Sequence, residues 1–343
     1  MSRRNLIVIG ASAGGIEALQ KLLRKLPKNL DASVLIVLHT TSHGGSLLPH
    51  ILQRFSALPV VHPEDGEQIE RGIVYVALPD HHMIVEGRFL RVVQGPPENL
   101  HRPAIDPLFR SAAAFHSRRV IGVILTGALD DGTAGLMVVR ARGGKAIVQD
   151  PKEAVFPSMP SAALEQVHDA MVLTLAEIPL ALVDLTLEEL LDELPTVLEN
   201  SPQPIQETRI AELDMAEIEN ESRPGNSSAF ACPDCGGVLW EIENKGFLRF
   251  RCRVGHAFTA RHLGVEQRHA VETALWSALR ALEESASLYK RMADRAKSSS
   301  HYDAAEKYVE RQSSTIENAR VLRDFLLRVN QGEEERFPEQ VST

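Results

Sequence analysis

The chain has 343 residues, 44% of them apolar, and a formal net charge of −9. That length suits two or three domains with ordinary core-forming capacity. No apolar run reaches the roughly 18 residues of a membrane span, and MSRRN leads straight into an apolar run, so neither membrane insertion nor a signal peptide is expected. Three cysteines argue against a disulfide framework and for a cytoplasmic protein. Eleven carboxylates and a single base, Arg209, fall within residues 188–222. The remainder is near neutral, which offers no nucleic-acid-binding surface.

Residues 6–9 (LIVI) read as a buried parallel strand. A glycine-rich turn, GASAGG at 10–15, leads into a helix over 16–26, with Leu19, Leu22, Leu23 and Leu26 at helical spacing. Such a tip points backbone N–H groups outward and favours negative charge. It suits a dinucleotide pyrophosphate, as in G-x-G-x-x-G, or a hydrolase nucleophile, as in G-x-S-x-G. Ser12 occupies the middle position, where a pyrophosphate needs bare backbone.

Residues 33–38 (SVLIVL) form a second buried strand ending at His39. A helix over 44–55 and a short strand at 59–62 follow. Residues 73–78 and 83–93 alternate apolar and polar around Glu86-Gly87-Arg88, which predicts a β-hairpin excursion. A helix is expected from Pro107 to about residue 117. The strand 120–125 (VIGVIL) runs into TGALDDG and a helix through Arg142. Strands at 146–149 and 171–174 flank a helix at 160–167. The alternation predicts an α/β fold with a doubly wound, mainly parallel sheet.

Residues 186–198 read as a short amphipathic helix that closes a first domain over 1–198. An acidic linker at 199–228 follows, with helical tendency at 210–218. A cysteine module covers 229–262. Beyond it, Leu275, Leu279, Leu282, Ala286, Tyr289, Ala293 and Ala296 recur at alternating spacings of four and three. Tyr308, Gln312, Thr315, Ala319, Leu322, Leu326 and Val329 do the same, so 263–330 read as an αα-hairpin. Residues 331–343 read as a frayed tail.

In an open parallel sheet, ligands bind outside the carboxyl ends of the strands. Ser12, His39 and Asp131 each follow such an end, and adjacent strands lie about 4.8 Å apart. Together they are the set needed for acyl transfer: Ser12 as nucleophile, His39 as base, Asp131 as the acid that orients it. Backbone N–H groups near Ala13 and Ala128 suit an oxyanion. Taken singly, each residue has a plainer reading, as a helix cap, a loop histidine and a turn aspartate. Arg102 suits a substrate carboxylate or a structural salt bridge. His101 and His168 read as surface or second-layer residues, and His81-His82 as a solvated turn.

All three cysteines lie in one module: Cys232-Pro-Asp-Cys235, then Cys252 and His256. Two close ligand pairs across a short β-rich span predict a structural, zinc-ribbon-like site, with His262 as a reserve ligand. Four protein ligands leave no open position, so no cofactor is expected in catalysis. Arg249, Arg251, Arg253 and Arg261 are basic, but the module is small and tethered to an acidic stretch, which favours protein docking over nucleic acid.

GASAGG, the strand ending in His39, HRPAIDPLF, TGALDDGTAG and AIVQDPKEAVFPSMPSAAL occur in this order over about residues 5–185. As a set they resemble the catalytic domain of the chemotaxis protein-glutamate methylesterase family. The resemblance implies Ser12, His39 and Asp131 as nucleophile, base and orienting acid. It implies hydrolysis of glutamate methyl esters on chemoreceptors, often with deamidation of glutamine; a receptor methyltransferase is a second candidate partner, one that a non-catalytic scaffold would dock. Two departures stand out. Ala128-Leu129 replace a usual Met-Gly, and the family's N-terminal receiver domain has no room before the first strand, so that form of control is not expected here. The alternative function is a weakly active or inactive methylesterase-like scaffold. A nucleotide-binding oxidoreductase is a third reading, lacking the full glycine fingerprint.

Overall fold

Each strand of a sheet that is covered on both sides must be apolar on both faces, and the sequence supplies such runs in order. The computed structural model of the chain describes residues 2–39, 47–190, 203–214, 217, 220, 224–244 and 246–332. In chain order, β1 (Ser2–Arg3), β2 (Leu6–Ala11), α1 (Gly15–Leu23), β3 (Ser33–Leu38), α2 (Leu48–Gln53), β4 (Val60–Val61) and β5 (Glu67–Gln68) come first. Next are β6 (Val74–Val76), β7 (His82–Glu86), β8 (Phe89–Val93), α3 (Ile105–His116), β9 (Val120–Ile124) and α4 (Thr133–Ala141). Then follow β10 (Lys145–Gln149), α5 (Ser158–Gln166), β11 (Met171–Leu173), α6 (Ile178–Leu187) and β12 (Glu189–Leu190).

Seven strands pair side by side in the order β11-β10-β9-β2-β3-β6-β4, every pair parallel. The sheet is thus the doubly wound, parallel one expected. The period of two along a strand divides its side chains between two layers. Ile7, Ile9 and Ala11 pack with Leu19, Leu22 and Leu23 of α1 and Ile178, Leu182 and Leu185 of α6. Leu6 and Val8 face the other way, toward Leu108 and Phe109 of α3, Leu136 and Val139 of α4 and Met159 of α5. Chain order reverses about β2, which makes the carboxyl ends of β3, β2 and β9 the natural ligand crevice.

The hairpin excursion differs in detail from the sequence reading. Residues 74–76 belong to the main sheet, and β7 and β8 join β5 in a separate three-stranded antiparallel sheet. The helix expected over 186–198 is displaced: α6 ends at Leu187, and β12 pairs with β1 instead. Residues 191–198, residues 44–46 of the helix expected over 44–55 and residues 333–343 of the expected tail lie outside the described residues.

Within the stretch read as an acidic linker, α7 (Gln203–Ala211) is a helix with buried Pro204, Glu207, Thr208 and Ile210. The cysteine module is a four-stranded antiparallel sheet of β13 (Asn226–Ala231), β14 (Val238–Asn244), β15 (Phe247–Cys252) and β16 (Ala257–Thr259). Leu239, Phe250, Phe258 and Leu263 form its small core. Both elements belong to one unit with the parallel sheet, Met1–Leu263. The remaining unit, Gly264–Thr343, is built on the two long helices Ala260–Ser298 and Tyr302–Gly332. Leu279, Ala319 and Leu326 are buried there, with Leu275, Leu282 and Leu322 packed against them, as the alternating spacing requires.

Charge, not only apolar surface, joins α7 and the cysteine module to α3. Glu98 pairs with Arg110 of α3 at 2.9 Å and with Arg251 of β15 at 2.8 Å. Glu207 of α7 takes Arg249 at 2.7 Å and Arg251 at 3.4 Å. Burial pushes both carboxyls up, but the surrounding arginines outweigh it and hold them below the usual range. Removing one partner from such a buried set strands the others. Glu207→Gln is therefore expected to lower the unfolding free energy of the first unit by about 3 kcal/mol. Urea denaturation measures this, and an unchanged midpoint would count against the cluster as the clamp.

Candidate active site

The site is assembled from three strand ends. The turn after β2 needs a left-handed residue at its last position, and Gly14 fills it with φ 73°. The turn after β9 has the same need before α4, met by Gly132 with φ 89°. These turns lie side by side: the Ser12 N–H donates to the Thr126 carbonyl at 3.0 Å, and Thr126 Oγ1 donates to the Ala13 carbonyl at 3.0 Å. Ala13 is half-buried and Ala128 exposed, on the two turns that flank Ser12. Leu129, where the resembling family usually has glycine, holds φ 60°. A left-handed conformation costs a side chain roughly 1–2 kcal/mol.

Ser12, His39 and Asp131 do converge. His39 Nδ1 is 3.1 Å from Ser12 Oγ, and His39 Nε2 is 2.8 Å from Asp131 Oδ2. The side chains of His39 and Asp131 are 5% and 1% exposed. Asp131 sits against the N-terminus of α3, where free N–H groups and the helix dipole favour an anion. Its Oδ2 also accepts the Ile105 N–H at 2.6 Å. Its Oδ1 accepts Asn99 Nδ2 at 2.8 Å and the Gly132 N–H at 2.9 Å. Burial pushes this carboxyl up, yet the hydrogen bond and charge of His39 and the Ile105 N–H hold it well below the usual range. The neighbouring Asp106 goes the other way, raised by burial first and by the Asp131 charge second.

His101 stacks on the His39 ring with centroids 3.5 Å apart and planes 15° from parallel. The His262 and His101 rings meet edge-on, with centroids 6.4 Å apart. His101 therefore belongs to the second layer, one of its two sequence readings. His262, the reserve metal ligand, is corrected: it is fully buried and its Nδ1 lies 2.7 Å from Asp130 Oδ1, because the first turn of the helix that follows β16 places it beside the strand-end turn. His82 is corrected too. It is buried rather than solvated, bonded through Nε2 to the Pro96 carbonyl and accepting the Ala104 N–H at Nδ1. Arg102 is in a salt bridge: Nε and Nη2 reach Asp80 Oδ1 at 2.8 and 2.6 Å, and Nη1 donates to the Gly95 carbonyl at 2.8 Å. Asn99, Asp106 and the His262–His101 pair were not singled out as supports of the triad, and no local spacing marks them.

The cysteine group is separate. The ligand atoms of Cys232, Cys235, Cys252 and His256 lie within 4.8 Å of one another. Cys235 and Cys252 sulfurs are 3.7 Å apart, and His256 Nδ1 is 3.6 Å from Cys232 Sγ and 3.5 Å from Cys252 Sγ. A tetrahedron with metal–sulfur bonds of about 2.3 Å has edges of about 3.8 Å, so the donor set fits a metal ion. Asp234 lies 3.8 Å from His256 Nε2, on the side that an outer carboxylate takes in histidine–metal sites.

Burial first, and the adjacent His39 second, hold His101 down to about 3. Unfolding returns it to about 6.5. The unfolded chain then binds more protons, so stability falls as pH drops from about 6.5 toward 3, by at most about 1.4 kcal/mol per pH unit for this group. His82 and His116, lowered by burial, act in the same direction. Thermal unfolding between pH 7 and 5 is expected to show a shallower slope in His101→Phe than in the parent. Equal slopes would remove the neutral-histidine assignment.

Residues 7–182 match the family model of CheB methylesterase. A Leptospira interrogans protein that carries the name protein-glutamate methylesterase/protein-glutamine glutaminase in provisional form is 38% identical over 173 residues, half of this chain and 90% of that protein. A Geobacillus kaustophilus protein-glutamate methylesterase/protein-glutamine glutaminase is 40% identical over 185 residues, which are 52% of this chain and 53% of that one. The crystal structure of the Thermotoga maritima CheB methylesterase catalytic domain superposes with a TM-score of 0.52 at 33% identity, covering 54% of this chain and all of that one. The chain belongs to the CheB methylesterase family, with that family's hydrolase domain in its N-terminal half.

Proposed function

We propose that the protein hydrolyses methyl esters of glutamate side chains on methyl-accepting chemoreceptors, with Ser12 as nucleophile, His39 as general base and acid, and Asp131 as the orienting acid. The observation that carries this reading is the hydrogen-bonded chain from Ser12 Oγ through His39 to Asp131, at 3.1 and 2.8 Å. The neutral imidazole carries its proton on Nε2, donating to Asp131, and accepts the Ser12 O–H at Nδ1. Ser12 Oγ attacks the ester carbonyl as its proton passes to His39. The tetrahedral oxyanion is held by backbone N–H groups of the turns at Ala13 and Ala128. The bond to the methoxy oxygen breaks, His39 returns the proton, and methanol leaves. Water, deprotonated by His39, then attacks the acyl-enzyme to give glutamate and free Ser12. With glutamine the same steps release ammonia.

This reading needs no cofactor in catalysis. It takes the hydrolase as residues 1–198, the stretch 199–228 as a connection, the cysteine module as 229–262 and the helical hairpin as 263–330. A receptor methyltransferase is a second partner in keeping with the substrate, and the cytoplasm is the compartment that the cysteine usage favours. No helix among the described residues is long and apolar enough to cross a membrane. Zinc is the metal we assign to Cys232, Cys235, Cys252 and His256, since three thiolates and an imidazole suit it. When bound there it closes the small sheet through four protein ligands and leaves no position for substrate.

Ser12→Ala is expected to reduce methanol release from methylated receptor by at least about a thousandfold with unchanged thermal unfolding. Near-parental turnover would end the nucleophile assignment. Purified protein is expected to hold one zinc per chain, lost when Cys232→Ser is combined with Cys235→Ser, together with a lower unfolding temperature. Metal-free protein with the parental melting curve would exclude the zinc assignment.

A further inference from the structure

The cysteine module reaches the triad by two separate routes. Strand β16 pairs with β15 of its own sheet and also runs beside the loop before α3, where Glu98 bridges to Ala257 and the Asn99 N–H donates to the Ala257 carbonyl at 2.8 Å. Along the first route, the Thr259 N–H donates to Asn99 Oδ1 at 3.0 Å, and Asn99 Nδ2 donates to Asp131 Oδ1 at 2.8 Å. A carboxamide fixed at its oxygen has its N–H₂ fixed as well, so a backbone amide of the module sets the direction of a donor to the orienting acid. Along the second route, Asp130 Oδ1 receives Thr259 Oγ1 at 2.8 Å and lies 2.7 Å from His262 Nδ1. His262 Nε2 is sealed from solvent and has no hydrogen-bonding partner among the described residues. One ring nitrogen anchors the ring, and its body packs edge-on against His101, which lies flat on His39.

We propose that the corner at residues 257–263, contributed by the cysteine module, completes the catalytic apparatus, with Thr259 acting through Asn99 on Asp131 and His262 acting through His101 on His39. This rests on the hydrolase reading given above. Asn99, Thr259, His101 and His262 are positioning residues: none bonds to Ser12, and each acts through a triad member or one residue beyond it. A histidine that must accept a proton at one nitrogen while donating at the other loses rate if its ring can turn away. The stacked and edge-on rings limit that turning, and the Asn99 amide limits the swing of Asp131. The module then has a second consequence besides stability: it sets the reactivity of the serine.

The test uses the full chain and a serine-directed fluorophosphonate, and reads both the rate constant of labelling at Ser12 and the fraction finally labelled. A purely structural role leaves the rate constant unchanged once it is divided by the folded fraction read from circular dichroism, because reversible unfolding slows labelling only in proportion to the folded population, and irreversibly misfolded molecules lower the labelled fraction instead. A positioning role lowers this corrected rate constant while labelling still runs to completion. His262→Ala is expected to slow labelling tenfold or more, and His262→Phe, which restores an edge-on ring, to recover part of that loss. Asn99→Gly, whose glycine keeps the left-handed backbone of residue 99 at φ 50°, is expected to slow it by a similar factor. That second variant decides the matter if His262→Ala does not fold. Rate constants within twofold of the parent in the folded variants, or losses confined to the labelled fraction, would overturn the proposal. A parent protein that fails to label at Ser12 would instead remove the hydrolase reading, and this proposal with it.

Discussion

The carboxylate of Asp131 is the charge around which the first unit is arranged. A bare anion sealed from water costs several kcal/mol in real proteins, and it persists only where donors replace its hydration. Here those donors come from four places in the chain: the His39 ring, the N-terminus of α3, the Asn99 side chain and the Gly132 N–H. Each must be held to the direction of one oxygen. The placement of α3, of the loop at 98–101 and of the turn after β9 is thereby fixed to a common point. Asp106 nearby is raised first by its own burial and then by this same charge, since two adjacent buried carboxyls do not both ionise readily.

Farther back, the second group of buried charges has a comparable effect on the elements that follow the parallel sheet. Glu98 and Glu207 share Arg110 of α3 and Arg251 of β15, and Glu207 also takes Arg249 of β15. Such an arrangement tolerates little sliding, because a shift leaves charge unpaired, whereas an apolar contact tolerates it. Glu98 and Asn99 are sequence neighbours, so the ion cluster and the support of Asp131 share one short loop. Whatever holds the cysteine module in register also holds the amide that faces the triad.

Much of the fold was legible in the residues. LIVI, SVLIVL and VIGVIL are apolar on both faces, and only a doubly covered parallel sheet uses such strands in number. Polar residues at their ends then had to lie along one rim, and Ser12, His39 and Asp131 do. The four metal-ligand candidates were legible for a similar reason, because two tight pairs bring their atoms close through local turns alone. The αα-hairpin followed from alternating spacings of four and three.

What remained hidden depends on contacts between distant residues. Thr259 and Asn99 are 160 residues apart, and Arg251 and Glu98 are 153 apart. No periodicity or local motif encodes such pairings. They are selected when the cysteine module docks and each buried polar group must find a partner. The same holds for the salt bridge of Arg102, for the burial of His82 and for the contacts of His262 with Asp130 and His101 in place of the cysteine group. The sequence by itself determined the main apolar strands, the polar residues at their carboxyl ends and which side chains suit a metal. The tertiary structure alone decided what surrounds those groups, because the partners of a buried charge are set by packing in space and not by order along the chain.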